Sequence, residues 1–75
     1  MPPLVLVRDL ELNSIYADSK TDIVIGRLKD KTIHSYYGMH KEPIFCLVFE
    51  NDENDKLTTM FCDWTDTFYA VAEPK

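Results

Sequence analysis

The uninterrupted apolar run at residues 44–49, Ile-Phe-Cys-Leu-Val-Phe, most constrains what this chain can fold into. A strand that buries one face alternates apolar with polar residues. A run with no polar position, rich in β-branched and aromatic types, reads as a strand that needs cover on both faces. It follows Pro43, an acceptable first residue of a strand, and stops at the polar, acidic segment 51–56, Asn-Asp-Glu-Asn-Asp-Lys. Residues 57–62, Leu-Thr-Thr-Met-Phe-Cys, supply a second arm. The stretch 43–64 is therefore expected to be one long β-hairpin around which the rest is organised.

A register that sets Val48 against Met60 would place Cys46 opposite Cys62 and Ile44 opposite Trp64. Ile44, Cys46 and Val48 are then the expected inner face, leaving Phe45, Leu47 and Phe49 on the other side with Phe61 and Thr59. A cross-strand disulfide is feasible in that geometry, but in a reducing compartment the two cysteines are expected to pack as small hydrophobes. The second face is expected to be covered either by residues 65–72 or by a partner.

The rest of the chain supplies further short strands. Residues 4–7, Leu-Val-Leu-Val, read as a short buried strand, and residues 9–16 as extended chain with a turn or bulge at Asn13-Ser14, a short helix with Leu12, Ile15 and Tyr16 at helical spacing being the alternative. Residues 23–28 form a strand by composition, with Gly26 marking a bulge or a close backbone approach. The charged segment 29–32, Lys-Asp-Lys-Thr, is expected to turn the chain into a return strand at 33–37, ended by Gly38. Residues 63–72 are open between a helix capped by Asp63, with Trp64, Phe68 and Ala72 on one face, and a closing strand over 67–71. The expected fold is mainly β: a small OB-like or SH3-like barrel of 5–6 short strands with at most one short helix. A half-open α+β sheet is the alternative. A barrel is favoured because a flat sheet leaves edges and one apolar face exposed.

With 75 residues, this is a single compact domain (1–75) near the lower size limit for independent folding. Two cysteines are too few for a disulfide scaffold. The N-terminus lacks a basic segment before its short apolar run, and no run reaches membrane-spanning length. A soluble, intracellular protein (host cytoplasm or nucleus) is expected, with no membrane partner. Catalysis is not expected. The chain has only two glycines, so no phosphate-cradling loop, and no nucleophile motif with a placed base. No cofactor is expected either. His34 and His40 with the two cysteines lack the paired spacing of a zinc site, and the segment from Asp52 fails the EF-hand pattern at its glycine and terminal-glutamate positions.

Several further stretches carry a resemblance. Residues 9–16, Asp-Leu-Glu-Leu-Asn-Ser-Ile-Tyr, then Tyr37-Gly38 before an apolar strand, then Thr59-Met60-Phe61-Cys62, are similar to a pattern in small OB-like single-strand-binding proteins of viral type. The resemblance implies an OB-like barrel that binds single-stranded nucleic acid. Two features depart from the pattern: the chain is acidic, and Asp63-Trp64 stands where a proline and a basic group are usual.

Charge separates the candidate functions. The net charge is −5, yet residues 27–41 hold Arg27, Lys29, Lys31 and Lys41 against Asp30 alone. Residues 42–75 carry eight acids against two lysines. The basic segment with His34, Tyr36 and Tyr37 is the candidate nucleic-acid interface, offering cations for phosphates and rings on which bases stack. The acidic candidate comprises Asp52, Glu53, Asp55, Asp63 and Asp66, with Trp64, Phe68 and Tyr69 as aromatic anchors. It would suit a basic protein partner, such as a nucleic-acid enzyme occluded by a phage- or virus-type inhibitor that imitates a phosphate row. The first expectation is thus a non-catalytic protein-binding module. A single-strand binder and an assembly subunit, including a homodimer, are the alternatives.

Overall fold

The strands differ in length, from three residues in the first to 14 in the third, because turn-forming residues are spaced unevenly along the chain. The computed structural model describes residues 3–72. Its elements in chain order are β1 (Leu4–Leu6), a single 3-10 turn (Val7–Asp9), β2 (Ile15–Asp18), β3 (Val24–Tyr37), β4 (Glu42–Glu50), β5 (Leu57–Asp63) and β6 (Thr67–Val71). All six strands join one antiparallel sheet in the order β1-β6-β2-β3-β4-β5. β1 and β5 stand at its two edges and do not pair, so among the described residues the sheet is not closed into a barrel. It is nevertheless strongly coiled. Phe49 on β4 and Phe68 on β6 meet at 5.9 Å between ring centroids although β2 and β3 lie between their strands.

The hairpin expected at 43–64 is present. β4 and β5 pair antiparallel about the turn at 51–56, which Asn51 N–H closes on the Lys56 carbonyl at 2.9 Å. Asn51 and Asn54 each accept a backbone N–H two residues on, from Glu53 and Lys56. The register, however, is one residue from the expected one: Leu47 faces Met60, Phe45 faces Cys62 and Cys46 faces Phe61. A one-residue slip exchanges the faces of a strand. Phe45, Leu47 and Phe49 are therefore the buried inner set, while Ile44, Cys46 and Val48 lie half-buried on the outer face. Cys62 is buried and Cys46 points to the opposite side, both as free thiols, so the cross-strand pair does not form.

The charged segment at 29–32 is not a turn. β3 runs through it, with register shifts against β4 between Leu28 and Asp30 and again between Ile33 and Ser35. None of the residues 29–32 has a positive φ. The chain reverses instead at 38–41, where Gly38 (φ 76°) and Lys41 (φ 54°) supply that geometry. Gly26 behaves as its position suggested. At φ 142° it faces the Glu50 backbone, and a Cβ there would lie within 2.4 Å of the Glu50 carbonyl oxygen. Asn13 (φ 72°) sits third in the turn that Ser14 N–H closes on Glu11.

The core gathers Val7, Leu10, Tyr16, Leu28, Phe45, Leu47, Phe49, Cys62 and Phe68, with Ile25, Met60 and Trp64 packed against it. Leu4, expected in a buried strand, is exposed on β1, and Val7 instead reaches the core from the 3-10 turn. Residues 67–71 are a strand rather than a helix. They lie between β1 and β2 within the sheet, so this tail does not cover the outer face of β4.

Candidate functional site

Each strand of the β3–β4–β5 ribbon places alternate residues on one face, and directly paired residues share it. The register puts Ile44, Cys46 and Val48 of β4 in one outer row. Beside them on β5 stand Leu57, Thr59 and Phe61, and beside them on β3 stand Asp30, Thr32, Ser35 and Tyr37. Leu57 and Phe61 are each 59 % exposed. Among the described residues, β4 makes its main contacts with β3 and β5 alone, since β6 lies in the sheet and its Phe68 turns inward. Four carboxylates rim it, since Asp30 faces Val48, Glu42 faces Tyr37, Glu50 faces Leu57 and Asp63 faces Ile44.

Several contacts fix this rim. The Tyr37 hydroxyl donates to the Asp63 carboxylate at 2.5 Å. That bond, reinforced by the nearby Glu42 charge, pushes the Tyr37 phenol up to about 12. The same bond, together with the Thr65 N–H, holds the Asp63 carboxyl below its ordinary value. His34 lies against Phe61, with 4.8 Å between ring centroids. Lys29 approaches Glu50 at 3.8 Å.

The acidic residues singled out in the sequence do not gather in one place. Asp52, Glu53 and Asp55 sit in the β4–β5 turn, whereas Asp63 ends β5 and Trp64 and Asp66 lie in the β5–β6 turn. Residues 57–62 of β5 separate the two groups, about 20 Å at ~3.3 Å per residue. Asp63 and Asp66 are also engaged structurally: Asp66 accepts the Asp63 N–H at 2.8 Å, and the Asp63 carbonyl accepts the Asp66 N–H at 3.0 Å. Of the aromatic anchors, Phe68 is 2 % exposed and belongs to the core, so its ring is not available at the surface. Trp64 packs partly against that core, and its indole N–H is buried with no hydrogen-bond partner among the described residues. Tyr69 is half-buried on β6 between Leu4 and Ala17.

The basic set divides differently. Arg27 pairs with Asp52 at 3.2 Å and donates to the Asn13 carbonyl at 2.6 Å. The Lys31 ammonium donates to three main-chain carbonyls around the 3-10 turn: Arg8 at 2.6 Å, Leu10 at 3.0 Å and Val7 at 3.3 Å. It also stands 5.9 Å from the Phe45 ring centroid. With Lys29 beside Glu50, three of the four cations face internal partners. Tyr36, His34 and Lys41 lie on an exposed arm, residues 32–41, that carries Met39 at its tip.

The outer row was not among the sequence candidates. Its signal is the doubly apolar arm at 44–49, which demands cover on two sides, but the expected register assigns Ile44, Cys46 and Val48 to the inside and leaves Thr59 and Phe61 on the other face. Among the described residues no group of three or more His, Cys, Asp or Glu is arranged to hold a metal ion, and no helix is long and apolar enough to cross a membrane. No family model, curated protein or solved structure matches this chain.

Proposed function

We propose that this protein is a small, non-catalytic protein-binding module that docks a basic partner on the outer face of its β3–β4–β5 ribbon. The observation that carries this reading is an uncovered apolar strip, Ile44-Cys46-Val48 with Leu57 and Phe61, rimmed by four carboxylates. The apolar centre would supply affinity through Phe61 as its aromatic anchor, and the rim would select and steer a cationic surface. A nucleic-acid-handling enzyme presents such a surface where it binds phosphates. A phage- or virus-type inhibitor occluding that groove is the specific form we favour. We read the scaffold as a half-open SH3-like barrel rather than an OB-like one, because β2 to β5 form a meander and β6 returns beside β2.

The alternative, binding of single-stranded nucleic acid, draws support from the exposed arm that carries His34, Tyr36, Tyr37 and Lys41. Two measurements separate the readings. The first is a salt titration with a labelled single-stranded oligonucleotide. The second is capture from extract on the immobilised chain, compared between wild type, Phe61→Ala and a triple variant Asp30→Asn, Glu42→Gln, Glu50→Gln. Docking predicts no oligonucleotide binding at low salt, and a captured protein that both variants and added salt release. Oligonucleotide binding that weakens steeply with salt and is lost in Tyr36→Ala would refute it, as would capture indifferent to Phe61→Ala.

A further inference from the structure

The free edge of β5 is the least defended backbone in the sheet. The Asn51–Lys56 pair is hydrogen-bonded, and antiparallel ladders alternate bonded with non-bonded pairs. Thr58, Met60 and Cys62 therefore direct their N–H and C=O groups to β4, whereas Leu57, Thr59 and Phe61 direct theirs away from it. Asp63 agrees with this phase, since its N–H leaves the ladder for the Asp66 carboxylate. A cleft of about 280 Å³ separates β5 from Ser19 and Lys20 and from the β5–β6 turn, so β2 and β6 do not close over this edge.

Natural sheets protect their edges with lysines, prolines, bulges or short strands. The free half of β3 has two register irregularities and carries Lys29 and Lys31, and β1 is only three residues long. β5 is seven residues long with a regular register, and residues 57–62 contain no charge and no proline.

We infer that β5 is a self-association edge through which two copies of this chain pair β5 to β5, antiparallel, about a two-fold axis at Thr59. In this register Thr59 faces Thr59 of the second copy, and Leu57 of each copy faces Phe61 of the other. All three outward-pointing residues then exchange both backbone hydrogen bonds with their opposites. The two most exposed apolar side chains of β5, Leu57 and Phe61, cover each other on the outer face. The two sheets become one, and the outer apolar strip runs across both copies. A single strand edge of about 23 Å, at ~3.3 Å per residue, falls short of the roughly 800 Å² per partner of a standard stable interface. The dimer is therefore weak and concentration-dependent. Each copy carries −5 while the pairing strip is uncharged, so repulsion between copies is long-range and salt screens it. Self-association strengthens with salt, whereas docking of a basic partner weakens.

Sedimentation equilibrium of the full chain, across three decades of concentration at low and high salt, tests this. The expected result is a monomer–dimer equilibrium whose association constant rises with salt. Thr59→Pro, which removes an N–H that β4 does not use, should lower that constant about tenfold or more, as losing two bonds per dimer requires. Thr59→Lys, an exposed substitution that sets like charges face to face, should do the same without touching any ladder bond. Circular dichroism of both variants confirms the fold. Ile33→Lys on the free edge of β3 should leave the dimer intact. A strict monomer at high salt overturns the proposal. So does a dimer that survives Thr59→Lys, one that Ile33→Lys abolishes, or one that salt dissolves. Because the salt response has opposite sign for the two interactions, failure here leaves the docking reading standing, and the reverse also holds.

Discussion

Replacing Lys31 with methionine removes an ammonium but keeps a stem of similar length over Phe45, which isolates the charge from the packing. The ammonium donates to the Val7, Arg8 and Leu10 carbonyls, at 3.3, 2.6 and 3.0 Å, and fastens the 3-10 turn to β3 across 21 to 24 residues of sequence. The Val7 and Leu10 bonds are part-buried and the Arg8 bond is exposed, so water replaces the last of these most easily. A hydrogen bond to a charged group contributes about 1.5–3 kcal/mol, and a carbonyl left without a donor costs its desolvation. Discounting for partial exposure, the substitution should cost about 2–3 kcal/mol. A cation–ring term of about 0.5–1 kcal/mol for Phe45 falls within that range. In urea, with a slope of about 1 kcal/mol per molar for so small a chain, the midpoint should fall by about 2–3 M with an unchanged slope. Lys31→Arg should recover only part of the loss, because a planar guanidinium does not converge on three carbonyls as a rotating ammonium does. A change in stability below about 0.5 kcal/mol, the range of an ordinary surface substitution, would refute the reasoning. It would also return Lys31 to the set of cations available to a phosphate backbone.

Three other outcomes follow from the same geometry. Gly26→Ala should cost about 3 kcal/mol or more, because its Cβ would meet the Glu50 carbonyl at 2.4 Å on a backbone at φ 142°; thermal denaturation reads this directly. Tyr37, raised to about 12, should ionise well above the ordinary phenol value in an ultraviolet titration. Since its folded pKa lies above the unfolded value near 10, the stabilisation is full below pH 10 and is lost as pH rises from 10 towards 12. Asp63, held below its ordinary value, contributes stability that is present above about pH 4 and is lost on acidification through its folded pKa; Tyr37→Phe should abolish the first dependence and blunt the second. Alkylation of the native protein should modify Cys46 first. Burial raises the Cys62 thiol to about 11, and non-reducing mass spectrometry should find no bond between the two.

What was legible in the sequence, and what was not, follows from how locally each feature is encoded. The β4–β5 hairpin was readable because an apolar run ends at a segment with no apolar residue. Its register was also encoded there: closing the polar segment symmetrically pairs Asn51 with Lys56 and brings Leu47 opposite Met60. Setting Val48 against Met60, a choice with no turn geometry behind it, moves the register by one and exchanges the faces. The turn placed at 29–32 rested on charge alone. Gly38, with its positive φ, was the better marker, and β3 carries its charges by bulging and by giving Lys31 three carbonyl partners. Gly26 was correctly placed because only a residue without a side chain fits against another backbone. The outer row escaped notice because its members recur two apart on three strands that only the fold brings together.

The distribution of cations decides what the surface can do. Read as a sequence, residues 27–41 are a basic island in an acidic chain, but folding brings Arg27 to Asp52, Lys29 to Glu50 and Lys31 to the carbonyls of the 3-10 turn. These contacts place the positive charge beside internal partners and leave Asp30, Glu42 and Asp63 around the apolar strip. Tyr37 then donates to Asp63, which keeps that carboxylate ionised and fixes it at the rim beside Ile44. A phosphate backbone approaching this face would meet carboxylates before it met a free cation, whereas a lysine- or arginine-rich surface would be drawn towards it. The same strip ends at an uncharged strand edge that neither attracts nor repels by itself. On the proposed reading, charge would select which foreign surface the face receives, and salt would govern how readily two copies meet along β5.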